Sequence, residues 1–126
     1  EHAMVAAYLY LNAVLYLVFA VWCSLRWRET SKAMGFVTLS HSGQSEYLVV
    51  YGGLQLGLAI AFFLLARDPS LHRFGLLFSL ALYAAIVAFR VPTALAFSPV
   101  SSTTWIVAGL EVFLLVAAVA LWVAMR

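Results

Sequence analysis

The 126-residue sequence has few charged residues and few helix-breaking ones. Only 10% of its residues are Asp, Glu, Lys or Arg, and it contains three prolines and seven glycines. Hydrophobic residues make up 66% of the chain, and the mean hydropathy is +1.04. Because soluble domains carry about a quarter charged residues, this composition excludes a water-soluble globule. The apolar excess, with 15% aromatic residues, also excludes a disordered chain.

Motifs of familiar chemistry are missing as well. The single cysteine, Cys23, cannot form an intramolecular disulfide. His2, His41 and His72 lie in different segments without ligand spacing, so we expect no metal site and no cofactor. There is no zinc-protease motif, phosphate loop or nucleophile elbow, so a membrane enzyme is the least favoured function. The net charge of +2 is scattered along the chain, which argues against nucleic-acid binding.

Four apolar runs are long enough to cross the hydrocarbon core of a bilayer, which takes about 20 helical residues. The runs are continuous rather than alternating, which favours helices over barrel strands. We expect the third run to end at Pro92, which has no N–H to donate, and Ser101 and its neighbours to cap the fourth. The sequence predicts a single domain over residues 1–126, an all-α integral membrane four-helix bundle with both termini on the same side. The expected spans are about 4–25, 46–66, 74–91 and 103–125.

The two ends of the predicted bundle carry different connections. Side A carries both termini and the short connection near residues 67–73, and side B carries the other two connections. Lys and Arg are balanced between the sides, so the positive-inside rule gives no orientation. The side-B connection over residues 27–45 mixes apolar and polar residues, which is typical of an interfacial anchor. A lid over a side-B cavity is the alternative.

Two ionisable residues interrupt the apolar runs in the side-B half. Arg90 lies late in the third run and Glu111 lies early in the fourth. Each costs at least ~2.5 to 3.5 kcal/mol to insert into a bilayer, so such residues normally face the bundle and have a partner. We therefore predict an Arg90–Glu111 ion pair. It either fixes only the helix register or belongs to a ligand pocket.

If the ion pair belongs to a ligand pocket, the other polar residues at the same depth should line that pocket with it. Helical periodicity of 100° per residue places tyrosines and a glutamine on the inward faces, and Glu46 opens the second helix on the same side. The predicted ligand-binding residues are Tyr16, Glu46, Tyr51, Gln55, Tyr83, Arg90 and Glu111.

Gly53 and Gly57 form a small-xxx-small pattern in the second run. Such a pattern lets another helix approach closely. We expect it to serve packing within the bundle, and a homodimer contact is the alternative.

A resemblance to a known family rests on the segment Ser45–Gly57, most specifically on Tyr51-Gly52-Gly53-Leu54, with an Arg late in the third helix and Glu111 in the fourth. The chain resembles small bacterial four-helix membrane proteins of unknown function, which are distantly similar to DoxX-like proteins. The resemblance implies the four-helix architecture, the polar cluster and the bacterial inner membrane. The family often has an acidic residue where this chain has Gln55.

The expected function is binding of a lipid-like or amphipathic small molecule by a protein whose main partner is the lipid bilayer. One alternative is a small dimeric proton- or ion-coupled transporter, with Glu111 or Glu46 as the coupling carboxylate. The other is an accessory subunit of a membrane complex.

Overall fold

The computed structural model describes residues 2–125, and over this range the chain is helical and contains no strand. Its elements are α1 (His2–Leu25), α2 (Trp27–Ala33), α3 (His41–Leu48), a π-helical segment (Val49–Leu54), α4 (Gln55–Arg67), a 3-10 turn (Pro69–Leu71), α5 (His72–Ala96) and α6 (Ser102–Ala124). Four stretches are long and apolar enough to cross a membrane, namely Ala3–Leu25, His41–Arg67, Pro69–Ala96 and Ser102–Ala124. The prediction of an all-α membrane bundle with four long helices is confirmed.

The second and third membrane helices extend beyond their predicted bounds. The second begins at His41, ahead of Glu46, because α3, the π-helical segment and α4 follow one another without a break. The prediction that Pro92 ends the third helix is wrong, since α5 continues to Ala96. Pro92 removes one donor from the helical hydrogen-bond ladder. The helix continues past this missing donor, and the Thr93 hydroxyl donates to the carbonyl of Phe89 at 2.6 Å.

Side-chain oxygens mark the starts of two elements. The Oγ of Ser101 accepts from the N–H of Thr104 at 3.4 Å, which confirms the predicted cap of α6. On side A, Asp68 Oδ1 accepts from the hydroxyl of Ser70 at 2.7 Å and from its N–H at 3.0 Å. These hydrogen bonds favour the charged carboxylate and hold the pKa of Asp68 below its usual value.

A glycine ends α2 and shapes the side-B connection. Gly35 has a φ of +100°, and its N–H donates to the carbonyl of Lys32 at 3.0 Å. The N–H of Phe36 donates to the carbonyl of Ser31 at 2.9 Å. This is the Schellman arrangement, in which a residue in the left-handed region closes a helix. The chain turns at this point, so residues 36–39 lie beside α2.

The bundle consists of two close helix pairs. The helix α1 packs along the π-helical segment and α4, and α5 packs along α6. The pairs meet in the half near side A, where Gly75 lies against Leu9 and Leu65, and the rings of Phe62 and Phe78 are 5.5 Å apart. Toward side B the two pairs are separated by a cavity.

Candidate functional site

The cavity between the helix pairs has a volume of about 420 Å³. All four membrane helices line it in the side-B half, and Met34 from the connection after α2 lines it too. Its volume lies within the roughly 300 to 1,000 Å³ of pockets that hold one small molecule. Most of the wall is aliphatic or aromatic, and its hydrogen-bonding or charged side chains are Tyr16, Tyr51, Gln55, Tyr83, Arg90, Thr104 and Glu111.

The predicted ion pair between Arg90 and Glu111 is present in the cavity wall. Arg90 Nε donates to Glu111 Oε1 at 2.8 Å, and Arg90 Nη2 donates to Oε2 at 3.1 Å. The side chains are 34% and 15% exposed, respectively. Two parallel hydrogen bonds between a guanidinium and a carboxylate are stronger and more directional than a single contact. The pair joins α5 to α6.

A chain of buried hydrogen bonds lies at the inner end of the cavity. The Tyr83 hydroxyl donates to Asn12 Oδ1, and Asn12 Nδ2 donates to the carbonyl of Tyr8 at 2.9 Å. The Tyr8 hydroxyl in turn donates to the carbonyl of Leu114 at 2.7 Å. The Tyr16 hydroxyl lies 3.1 Å from that of Tyr83. This chain links α1, α5 and α6.

Asn12 and Tyr8 are not among the predicted site residues, although a signal for them exists in the sequence. An asparagine within an apolar span needs a partner, because unsatisfied polar groups are costly in hydrocarbon. Asn12 is fully buried and lies on the same stripe of α1 as Tyr8 and Tyr16. The pattern therefore marks the inward face of α1.

A second polar arrangement lies where the π-helical segment meets α4. Gln55 Nε2 donates to the carbonyl of Tyr51 at 2.7 Å, and the Tyr51 ring stacks on that of Tyr47 with centroids 4.5 Å apart. The Tyr47 hydroxyl donates to Thr30 Oγ1 of α2 at 2.8 Å. Tyr47 is buried, and sequence reasoning missed it. It ties the side-B connection to the helix that carries Tyr51 and Gln55. Segments of π-helix often occur at functional sites.

Glu46 does not join this cluster. It is exposed near the start of the second membrane helix and does not line the cavity. The other six residues predicted to bind a ligand all line it. Glu46 differs because it lies in α3, ahead of the π-helical segment where this helix begins to line the cavity.

The glycines that allow close packing are not the predicted ones. A Cβ built on Gly53 or Gly57 meets no atom within 4 Å, so the interpretation that these residues pack within the bundle is wrong. Gly52 and Gly75 take this role, since a Cβ on Gly52 would lie 2.5 Å from Ser24 Oγ and one on Gly75 would lie 2.9 Å from Leu9 Cδ1.

Within the described range, no group of three or more His, Cys, Asp or Glu side chains could hold a metal ion. Comparisons with family models, curated proteins and solved structures give no match to this chain. The resemblance to DoxX-like proteins therefore stays a prediction.

Proposed function

We propose that this multi-pass membrane protein binds one lipid-like or amphipathic small molecule in the side-B cavity. The observation that carries the proposal is the cavity between the helix pairs, which combines a mainly apolar wall with a compact group of polar side chains. Binding sites for small molecules have this composition, since the apolar wall supplies affinity and a few polar groups orient the ligand. The proposal includes the bacterial inner membrane as the location, on the basis of the family resemblance alone.

The charges in the cavity favour a ligand with an uncharged head group. Of the residues that the structure describes, only Arg90 and Glu111 bring charged side chains to its wall, and they neutralise each other. A charged head group that entered would lose its hydration without gaining an unpaired counter-charge. An alcohol, ester or amide avoids this cost.

Hydrogen-bonding groups for such a head are available. Among residues 2–125, no side chain or backbone group bonds to the Tyr51 hydroxyl, to Gln55 Oε1 or to Arg90 Nη1. The tyrosine can donate or accept, the amide oxygen accepts and the guanidinium donates. A hydroxyl or carbonyl oxygen therefore finds both kinds of partner in the same wall.

Native mass spectrometry of the protein in a mild detergent tests the proposal. Wild type should retain one small molecule with an uncharged head group, and the variant Arg90→Met/Glu111→Leu should lose it. The matched control is Arg26→Gln/Glu29→Gln, which removes an exposed pair on side B and should keep the ligand. Circular dichroism and elution volume verify that each variant is folded.

An empty wild-type protein, or equal retention by both variants, would contradict ligand binding by this cluster. The transporter alternative predicts pH-dependent movement of a substrate into liposomes. Glu111 is a poor candidate for its coupling carboxylate, because both oxygens already accept hydrogen bonds from Arg90, and this leaves Glu46 for that role.

A further inference from the structure

A second, smaller cavity of about 250 Å³ lies between α2 and the segment that follows it. It shares no lining residue with the first cavity, so an inference drawn from it does not rest on the proposed function. Among residues 2–125, no acidic side chain lines this groove. Its lining residues are Trp27, Arg28, Ser31, Lys32, Phe36, Val37, Thr38, Leu39 and Gln44.

Two cations, Arg28 and Lys32, line the groove. Arg28 and Lys32 are four residues apart on α2, so their side chains lie on the same face. The acid in this helix, Glu29, pairs with Arg26 at 3.4 Å. Among the residues that the structure describes, no carboxylate forms an ion pair with Arg28 or Lys32. The Arg28 guanidinium lies 4.6 Å from the centroid of the Trp27 ring, which holds it beside the groove.

The position of the groove matches the boundary between membrane and water. The first candidate span ends at Leu25, and α2 begins at Trp27. Tryptophan is enriched at this level of the bilayer. Phe36 and Val37 are 40% and 83% exposed, so apolar surface is available beside the two cations.

We propose that the groove binds the head group of an anionic phospholipid on side B. Arg28 and Lys32 contact the phosphate, and Phe36 and Val37 contact the acyl chain. Inorganic phosphate offers the same charge, but the exposed apolar side chains favour a ligand that has a hydrocarbon part. The Schellman turn at Gly35 makes the site by placing the apolar residues beside the basic face of α2.

Titration of the detergent-solubilised protein with phosphatidylglycerol, followed by native mass spectrometry, tests this site. The variant Arg28→Gln/Lys32→Gln should lower the affinity for phosphatidylglycerol about 30-fold, as expected for two basic residues near a membrane surface. Its affinity for zwitterionic phosphatidylcholine should not change. The conservative variant Arg28→Lys/Lys32→Arg should retain most of the binding.

A matched control exists at the other end of the bundle. Arg67 and Arg73 also lie over aromatic rings, those of Phe63 and Trp122. The variant Arg67→Gln/Arg73→Gln removes the same charge and should bind phosphatidylglycerol as wild type does. If both double variants lost affinity for phosphatidylglycerol equally, the lipid would be attracted by net charge only, and the proposal would be overturned. Unchanged binding by Arg28→Gln/Lys32→Gln would overturn it as well.

A competition with inorganic phosphate distinguishes the two sources of the anion. If millimolar phosphate binds alone and displaces the lipid, the ligand is free phosphate and the lipid proposal is wrong. If phosphate leaves lipid binding unchanged at constant ionic strength, the lipid proposal is supported. The Arg28→Gln/Lys32→Gln variant should still retain the molecule in the larger cavity, which separates the two proposals.

Discussion

The hydroxyl of Tyr83 on α5 donates a hydrogen bond to Oδ1 of Asn12 on α1, and both side chains are almost completely buried. Helices within a bilayer gain no hydrophobic energy from meeting one another, so close packing and interhelical hydrogen bonds hold them together. This bond joins one helix pair to the other. Since Tyr83 also lines the larger cavity, the same side chain supports the bundle and shapes the candidate site.

Replacing Tyr83 by Phe should lower the free energy of unfolding by about 1 to 2 kcal/mol. The change removes the donor and leaves Asn12 Oδ1 buried without its partner. Reversible unfolding in mixed micelles measures the loss. The control is Tyr10→Phe, which alters a partly exposed tyrosine on the same helix as Asn12 and should change stability by less than about 0.5 kcal/mol. Equal stabilities of the two variants would contradict a structural role for the Tyr83 hydroxyl.

The Arg90–Glu111 pair should show a large coupling energy in a double-mutant cycle with Arg90→Met and Glu111→Leu. Each single change leaves a charge in the cavity wall without its partner. Because Arg90 is about one third exposed, we expect each to cost about 1 to 3 kcal/mol, below the ~3 to 5 kcal/mol of a fully buried pair. The double variant should be less destabilised than the sum of the two single ones.

The exposed pair Arg26–Glu29 is the reference for that cycle. Its side chains are both 64% exposed, so water screens the interaction and the coupling should be close to zero. Similar coupling energies for the two pairs would show that Arg90 and Glu111 are no more desolvated than surface residues.

Two glycine substitutions should differ strongly in their effect. A Cβ at Gly75 would come within 2.9 and 3.2 Å of the methyl groups of Leu9, which is itself fully buried. Overpacking of this kind costs about 1 to 3 kcal/mol, so Gly75→Ala should destabilise the bundle. In Gly57→Ala the new Cβ meets no atom within 4 Å, and because alanine favours a helix more than glycine does, a monomer should be at least as stable as wild type. If both variants lost a comparable free energy of unfolding, Gly57 would have to pack against another residue.

The homodimer alternative makes a separate prediction about the same surface. If Gly53 and Gly57 form the contact, Gly53→Leu/Gly57→Leu should convert a dimer into a monomer in native mass spectrometry. Gly109→Leu is the control, because its α-carbon also faces open space, on α6. A monomeric wild type would contradict the alternative.

Substitution of Gly35 should loosen the side-B connection. Its φ of +100° is unfavourable for any residue with a Cβ, so Gly35→Ala should strain the turn that ends α2. Trypsin should then cleave more rapidly after Arg28 and Lys32. Gly43→Ala is the control, since a Cβ there makes only ordinary contacts of 3.4 Å or more and the cleavage rate should stay as in wild type.

Run length and isolated polar residues predicted much of this architecture. The membrane helices follow from apolar length, and the Arg90–Glu111 pair follows because each charge in an apolar helix needs a partner. Pro92 misled the prediction because a proline removes only one donor from the ladder, and a helix can continue past that gap, as α5 does. The spacing of Gly53 and Gly57 shows that they share a face, but not what lies opposite that face.

The cavity could not be predicted from the sequence, because it depends on how the two helix pairs are arranged. Helical periodicity identifies the inward faces. Counting residues at a rise of 1.5 Å each places Tyr16, Gln55 and Tyr83 at one depth. Neither reveals that the helix pairs separate toward side B or that Met34 reaches the space between them. The contact between Tyr47 and Thr30 likewise depends on how the side-B connection folds back.

Photolabelling with a long-chain alcohol that carries a diazirine tests the central claim most directly, namely that the side-B cavity binds one uncharged amphipath. We expect saturable labelling of residues 50–58 and 104–114. Leu58→Trp, which fills the cavity, should abolish this labelling, and Leu56→Trp on the exposed face of the same helix should preserve it. Labelling that rises linearly with probe concentration, or that is equal in both variants, would contradict the claim.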